Sequence, residues 1–254
     1  MDRPNILFIL TDQQSVRAMS CAGNPHLCTP HMDALSASGT RFELAYCAAP
    51  VCGPSRGSLM TGRLPHETGV LVNGMAPNPS LPNMGELFRR AGYRTAWTGR
   101  WHLPANDRPV RGFDVLHNSE VRLSLGLEGD GPVTDAAIEF LQRQHDQPFF
   151  LGVSLCNPHD ICYWIMKQSV PRDPSHPETV RLMQQAHQTH FPFKTAPNVV
   201  DLPPLPANFA VDPQESEFIG ICRRRTYYGQ EGTFTWNWDE STWRAYLKRL
   251  LSLD

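Results

Sequence analysis

No run of apolar residues in this chain is long enough to span a bilayer. The apolar segment at 6–10 is too short for the core of a secretion signal, and it follows Asp2 rather than a basic stretch. The chain as it stands is therefore expected to stay in the cytosol without a membrane partner, export requiring a start site further upstream. An excess of charge of one sign is also missing. A formal net charge of −2 leaves no basic footprint for nucleic acid, and Arg223, Arg224, Arg225, Arg244, Lys248 and Arg249 read as a solvated surface. No nucleic-acid partner is expected. The seven cysteines are an odd number with no CxxC pair and no zinc-ligand spacing, so reduced thiols are expected rather than a disulfide framework. Internal repeats and low-complexity tracts are absent as well.

What is present suits a soluble globular fold: 41% hydrophobic and 19% charged residues over 254 positions, enough for a sizeable core. Three short apolar segments with little alternation, at 6–10, 93–98 and 149–155, read as parallel strands covered on both faces. The second follows a helix expected over 82–91 and closed by Gly92, the third a helix expected over 132–145. Helices alternating with such strands argue for an α/β sheet, whose ligands bind beyond the carboxyl ends of its strands. That rule gathers Asp12, Arg100, His102 and His159 at one edge. Region 163–240, within a single domain covering 1–254, is interrupted by prolines and reads as irregular chain, and a last helix is expected over 243–251.

The most informative stretch is Cys52-Gly53-Pro54-Ser55-Arg56-Gly57-Ser58-Leu59-Met60-Thr61-Gly62-Arg63. Pro54 is pre-set for a first helical turn, Ser55 can satisfy a free N–H there, and Gly62 can close the helix two turns later. Cys52 then sits at a helix N-terminus, where unpaired N–H groups and the macrodipole favour negative charge, and Arg56 adds a cation one turn along. A sulfur nucleophile beside an oxyanion site is the simplest reading; a buried inert thiol is the plain alternative.

The spacing C-x-P-S-R-x-x-L-x-T-G-R resembles the signature of the type I sulfatases, in which a maturation enzyme oxidises the cysteine to formylglycine. Pro4 to Asp12 is similar to that family's opening strand, Thr98-Gly99-Arg100-Trp101-His102-Leu103 to its TGKWHL segment, and Asn157-Pro158-His159-Asp160 to its later histidine segment. The resemblance implies an alkaline-phosphatase-like α/β/α sandwich, incomplete at its C-terminal end, that cleaves a small-molecule or saccharide sulfate ester. It implies formylglycine at Cys52, with Arg56 and Arg100 on the oxyanion side. His102 would take the proton that releases sulfate, and His159 would contact sulfate and help protonate the leaving oxygen. Asp12, Gln13 and Cys52 would face a divalent cation, calcium first and magnesium second. Gln13 departs from a common pattern of two adjacent aspartates, although choline-sulfatase-like and phosphonate-monoesterase-like members also tolerate a single aspartate here. Arg100 departs from the usual lysine, and the two cations are not interchangeable. Further metal and sulfate ligands of the family would lie beyond Asp254. Two other readings stay open: a phosphonate or phosphate ester hydrolase of the same superfamily, and a non-catalytic remnant.

Overall fold

The computed structural model describes residues 3–104, 111–118 and 127–159, together with 204, 213, 214, 216 and 217. Most of the proline-rich region, with His176, His187 and His190, and the helix expected over 243–251 lie outside these residues. In chain order the elements are β1 (Ile6–Asp12), α1 (Pro30–Ser38), α2 (Cys52–Thr61), α3 (Pro65–Thr68), α4 (Met84–Arg90), β2 (Arg94–Gly99), β3 (Asp114–His117), α5 (Leu127–Gln142) and β4 (Phe149–Pro158). They fall into two units, one of Met1–Gln14 with Phe42–His159, the other of Ser15–Arg41 with Asp160–Asp254. In the second, a 3-10 turn at Ser20–Ala22 is tied to α1 through Asp33, which accepts hydrogen bonds from the Ser20 hydroxyl and the Cys21 N–H.

The first unit holds a four-stranded, wholly parallel sheet in the order β1-β4-β2-β3. Side chains leave a strand on alternate faces, and two cores result. On one face Trp97 and Phe150 pack with Met60, Trp101, Leu103 and Phe113; on the other Ala96, Phe149, Leu151 and Val153 pack with Val133, Ala137 and Phe140 of α5. Helices therefore cover both faces, an α/β/α arrangement. The central strands β2 and β4 are buried, as their lack of apolar–polar alternation predicts. β1 is not. Among the described strands it lies at the sheet edge, where Ile6 and Phe8 pack on the core while Leu7 and Ile9 stay 46% and 55% exposed. β3, a four-residue strand, has too short a pattern to be read from sequence.

Helix boundaries shift for local reasons. Asn83 caps α4 by accepting from the Glu86 N–H, and the Glu86 carboxylate accepts from the Asn83 N–H in return. This reciprocal pair sets the start within the expected 82–91, and Gly92 follows with φ 82°. α5 begins five residues before the expected start, so Pro132 lies inside the helix rather than at its first position. It ends at Gln142, beyond which the His145 ring donates to the Phe140 carbonyl at 2.9 Å.

Trp97 and Gly152 are cross-strand partners of β2 and β4, and the indole lies on the space a side chain at 152 would fill. Gly152→Ala is expected to drive a methyl into that ring and lower unfolding stability by about 1–3 kcal/mol. Denaturant titration checks this: a lower midpoint with an unchanged slope is the expected result.

Candidate active site

Cys52 is the first residue of α2, and Gly62 closes the helix in the left-handed region with φ 68°, its N–H donating to the Ser58 carbonyl. The start of the helix differs from the sequence expectation. Val51 occupies the cap position without a side-chain bond, and the Ser55 N–H is spent within the helix on the Val51 carbonyl. The free N–H at the helix start is met instead by Asn73, whose Oδ1 accepts from the Gly53 N–H at 2.7 Å. The same amide donates through Nδ2 to Cys52 Sγ at 3.2 Å. This approach requires glycine at 53, because a Cβ there would stand 2.6 Å from Asn73 Oδ1.

One turn along, Arg56 is buried at 4% exposure and spans the ends of three strands. Its Nη2 donates to Asp12 Oδ2 at 3.0 Å, and its Nη1 donates to the Arg100 carbonyl at 2.7 Å and to Ser154 Oγ at 3.0 Å. Burial pulls the Arg56 pKa down, the Asp12 carboxylate opposes that, and Arg100 adds to it. Arginine keeps its proton even so. Arg100 Nη1 reaches the same Asp12 Oδ2 at 3.1 Å. Two guanidiniums thus meet on one carboxylate oxygen.

His102 sits just past β2 with φ 56°, a left-handed position that turns its side chain back toward the strand ends. Arg100 Nη2 lies 3.2 Å from His102 Nδ1 and 3.4 Å from Nε2. Burial, then Arg100, then Arg56 push the His102 pKa down to about 4, so the ring is neutral at neutral pH. His159 follows β4 directly, and its predecessor Pro158 stands opposite Asp12 in the β1–β4 register. It is near enough to His102 to contribute to that lowering.

The fold thus joins Asp12, Arg56, Arg100 and His102 in one chain of polar contacts, with Cys52 on the same helix as Arg56. Gln13 is the exception. It is exposed, with φ 60°, and its side chain is not hydrogen-bonded to the cluster. A calcium or magnesium ion needs six or more oxygen ligands. Among the described residues no three His, Cys, Asp or Glu side chains are grouped to hold a metal ion, and both arginines meet Asp12 Oδ2. These residues alone do not fit such an ion. Sequence reasoning missed Asn73 and Ser154. The Asn73-Gly74 pair marks a turn, Gly74 having φ 89°, but a turn signal does not disclose that its amide returns to a helix 20 residues earlier.

A family model described as "Sulfatase" matches residues 4–190. The chain is 33% identical over 194 residues to an uncharacterized sulfatase, YidJ, of Escherichia coli K12, covering 63% of this chain and 39% of YidJ. It is 33% identical over 172 residues to an N-acetylglucosamine-6-O-sulfatase of Bacteroides thetaiotaomicron, covering 62% of this chain and 31% of that protein. The chain thus spans between about a third and two fifths of these relatives. The crystal structure of a phosphonate monoester hydrolase of Agrobacterium radiobacter aligns with TM-score 0.63 at 19% identity, covering 98% of this chain and 55% of that one, a likeness of fold alone.

Because the folded-state pKa of His102 is depressed to about 4 from 6.5, acid destabilises the native state through this group. Above pH 6.5 the ring is neutral folded or unfolded; between 6.5 and about 4 the unfolded chain takes up the proton first, so stability falls as pH falls. His102→Gln should flatten the stability profile in that window, measured by denaturant titration at several pH values. A profile as steep in the variant as in the native protein contradicts the assignment.

Proposed function

Since the chain belongs to the sulfatase family, we propose that it hydrolyses a sulfate monoester, small-molecule or saccharide, at the carboxyl ends of β1, β2 and β4, with Cys52 as the attacking position. The observation that carries this reading is the location of Cys52 at the first position of α2, one turn from an Arg56 locked to Asp12, the carboxylate that Arg100 links to the neutral His102. The kinship with an N-acetylglucosamine-6-O-sulfatase supports a sulfated saccharide as substrate.

Ester cleavage needs a group able to attack sulfur, neutralisation of the sulfate oxygens, and a proton for the departing alkoxide. Formylglycine, made from Cys52 by a maturation enzyme, supplies as its hydrate one hydroxyl to attack and a second whose deprotonation frees sulfate. Everything else falls to the chain itself. Asn73 holds the side chain at 52 and the Gly53 N–H in fixed relation. Arg56 is tied on both terminal nitrogens and keeps α2 fixed against the strand ends, while Arg100 and the positive end of the α2 dipole favour an anion there. His102, unprotonated above about pH 4, accepts the proton that accompanies sulfate release, and His159 donates one to the leaving oxygen. The calcium or magnesium ion implied by the resemblance would use Asp12 together with oxygen ligands outside the described residues.

Gln13 favours one second reading, a phosphonate or phosphate ester hydrolase of the same superfamily, because it offers a neutral amide where a second carboxylate is common. The test is co-expression with a maturation enzyme, followed by mass analysis of the peptide carrying position 52 and assay of aryl sulfates against aryl phosphonates and phosphates. The expected outcome is an aldehyde at 52, faster turnover of sulfate, loss of turnover in Cys52→Ala, and a kcat lowered about 10²–10⁴-fold in His102→Ala. Turnover confined to phosphorus esters replaces the substrate class. A native, oxidised protein that cleaves none of these esters leaves the non-catalytic reading.

A further inference from the structure

A buried carboxylate outside the residues discussed so far holds the end of β4. In the β1–β4 ladder Leu10 stands opposite Ser154, and the next pair is Asp12 with Pro158. One residue of β1, Thr11, therefore spans three of β4: Leu155, Cys156 and Asn157. Such a bulge bends its strand and takes N–H groups out of the ladder. Buried N–H groups require another acceptor. Asp130, in the first turn of α5 and 9% exposed, provides it: Oδ1 accepts from the Cys156 N–H at 2.6 Å and Oδ2 from the Asn157 N–H at 2.8 Å. Both carboxylate oxygens are thus committed to the backbone two and three residues before His159. Charge-assisted bonds of this kind are short and directional.

We propose that Asp130 is a positioning residue for His159: its carboxylate fixes the β4 bulge and so sets the imidazole's place at the departing oxygen of the ester. The inference rests on the role given to His159 above. Asp130 touches neither substrate nor reacting atoms, and its effect passes through the backbone of residues 156–158.

In the native full chain, hydrogen exchange is expected to show protected amides at Cys156 and Asn157; unprotected amides overturn the proposal without any variant. Imidazole 15N spectra, with His159 identified by its loss in His159→Gln, are expected to show the His159 signal displaced in Asp130→Asn while that of His102 stays. An unmoved His159 signal overturns it. Asp130→Asn preserves volume and one acceptor, so it carries the test where Asp130→Ala fails to fold. In the oxidised protein, turnover of aryl sulfates should depend on the leaving group: Asp130→Asn is to lose less than about threefold with the most acidic phenol and about tenfold or more with the least acidic, as expected for impaired general-acid catalysis. An equal loss across the series marks a merely structural role and refutes the proposal. Absence of any sulfate turnover in the native protein counts against the function proposed above, while exchange and imidazole spectra still decide the part played by Asp130.

Discussion

The buried pair of Arg56 and Asp12 is the constraint on which the rest of this structure depends. A guanidinium and a carboxylate are costly to take out of water and are tolerated only where their remaining hydrogen-bonding capacity is met. Here it is met by the Arg100 carbonyl, by Ser154 and by the Arg100 side chain, which belong to β4 or the residue after β2. The pair therefore locks α2 to three strand ends at once. It places the first residue of α2 with respect to the sheet, and it cannot be half broken cheaply, since loss of either partner leaves an uncompensated buried charge.

Arg100 links this structural pair to the chemistry. A compact ammonium could meet either Asp12 or the histidine, whereas the planar fork meets Asp12 through Nη1 and faces His102 through Nη2. The same side chain that helps hold the carboxylate thus helps hold the imidazole neutral. Arginine in place of the lysine usual here keeps the charge and couples a structural contact to a proton acceptor.

Much of this was legible in the sequence because it is local. The apolar runs of β2 and β4, the helix punctuated by Pro54 and Gly62, and the polar residues following each strand all follow from short-range pattern, and the family motifs fall on those same segments. What could not be read depends on contacts through space. Asn73 rather than Ser55 satisfies the start of α2, because the choice between two polar side chains is made by the fold of residues 62–73. β1 has the composition of a buried strand but occupies an edge, and composition does not reveal strand order. Asp130 looks like one more acidic residue before a proline until the bulge in β4 is known.

Strand order also governs when the site can exist. β1 lies at the beginning of the chain, and its partner in the sheet is β4, so that Asn5 and Phe149, 144 positions apart, share a hydrogen bond. Closing so long a loop is entropically expensive and slow compared with forming α2 or α4. During synthesis the segment around Cys52 leaves the ribosome well before β4 has been made, and it has no completed sheet against which to settle. Until β4, the last of the described strands, has been made, the helix that begins at Cys52 cannot be locked to Ser154, so the order of synthesis delays the closing of this site.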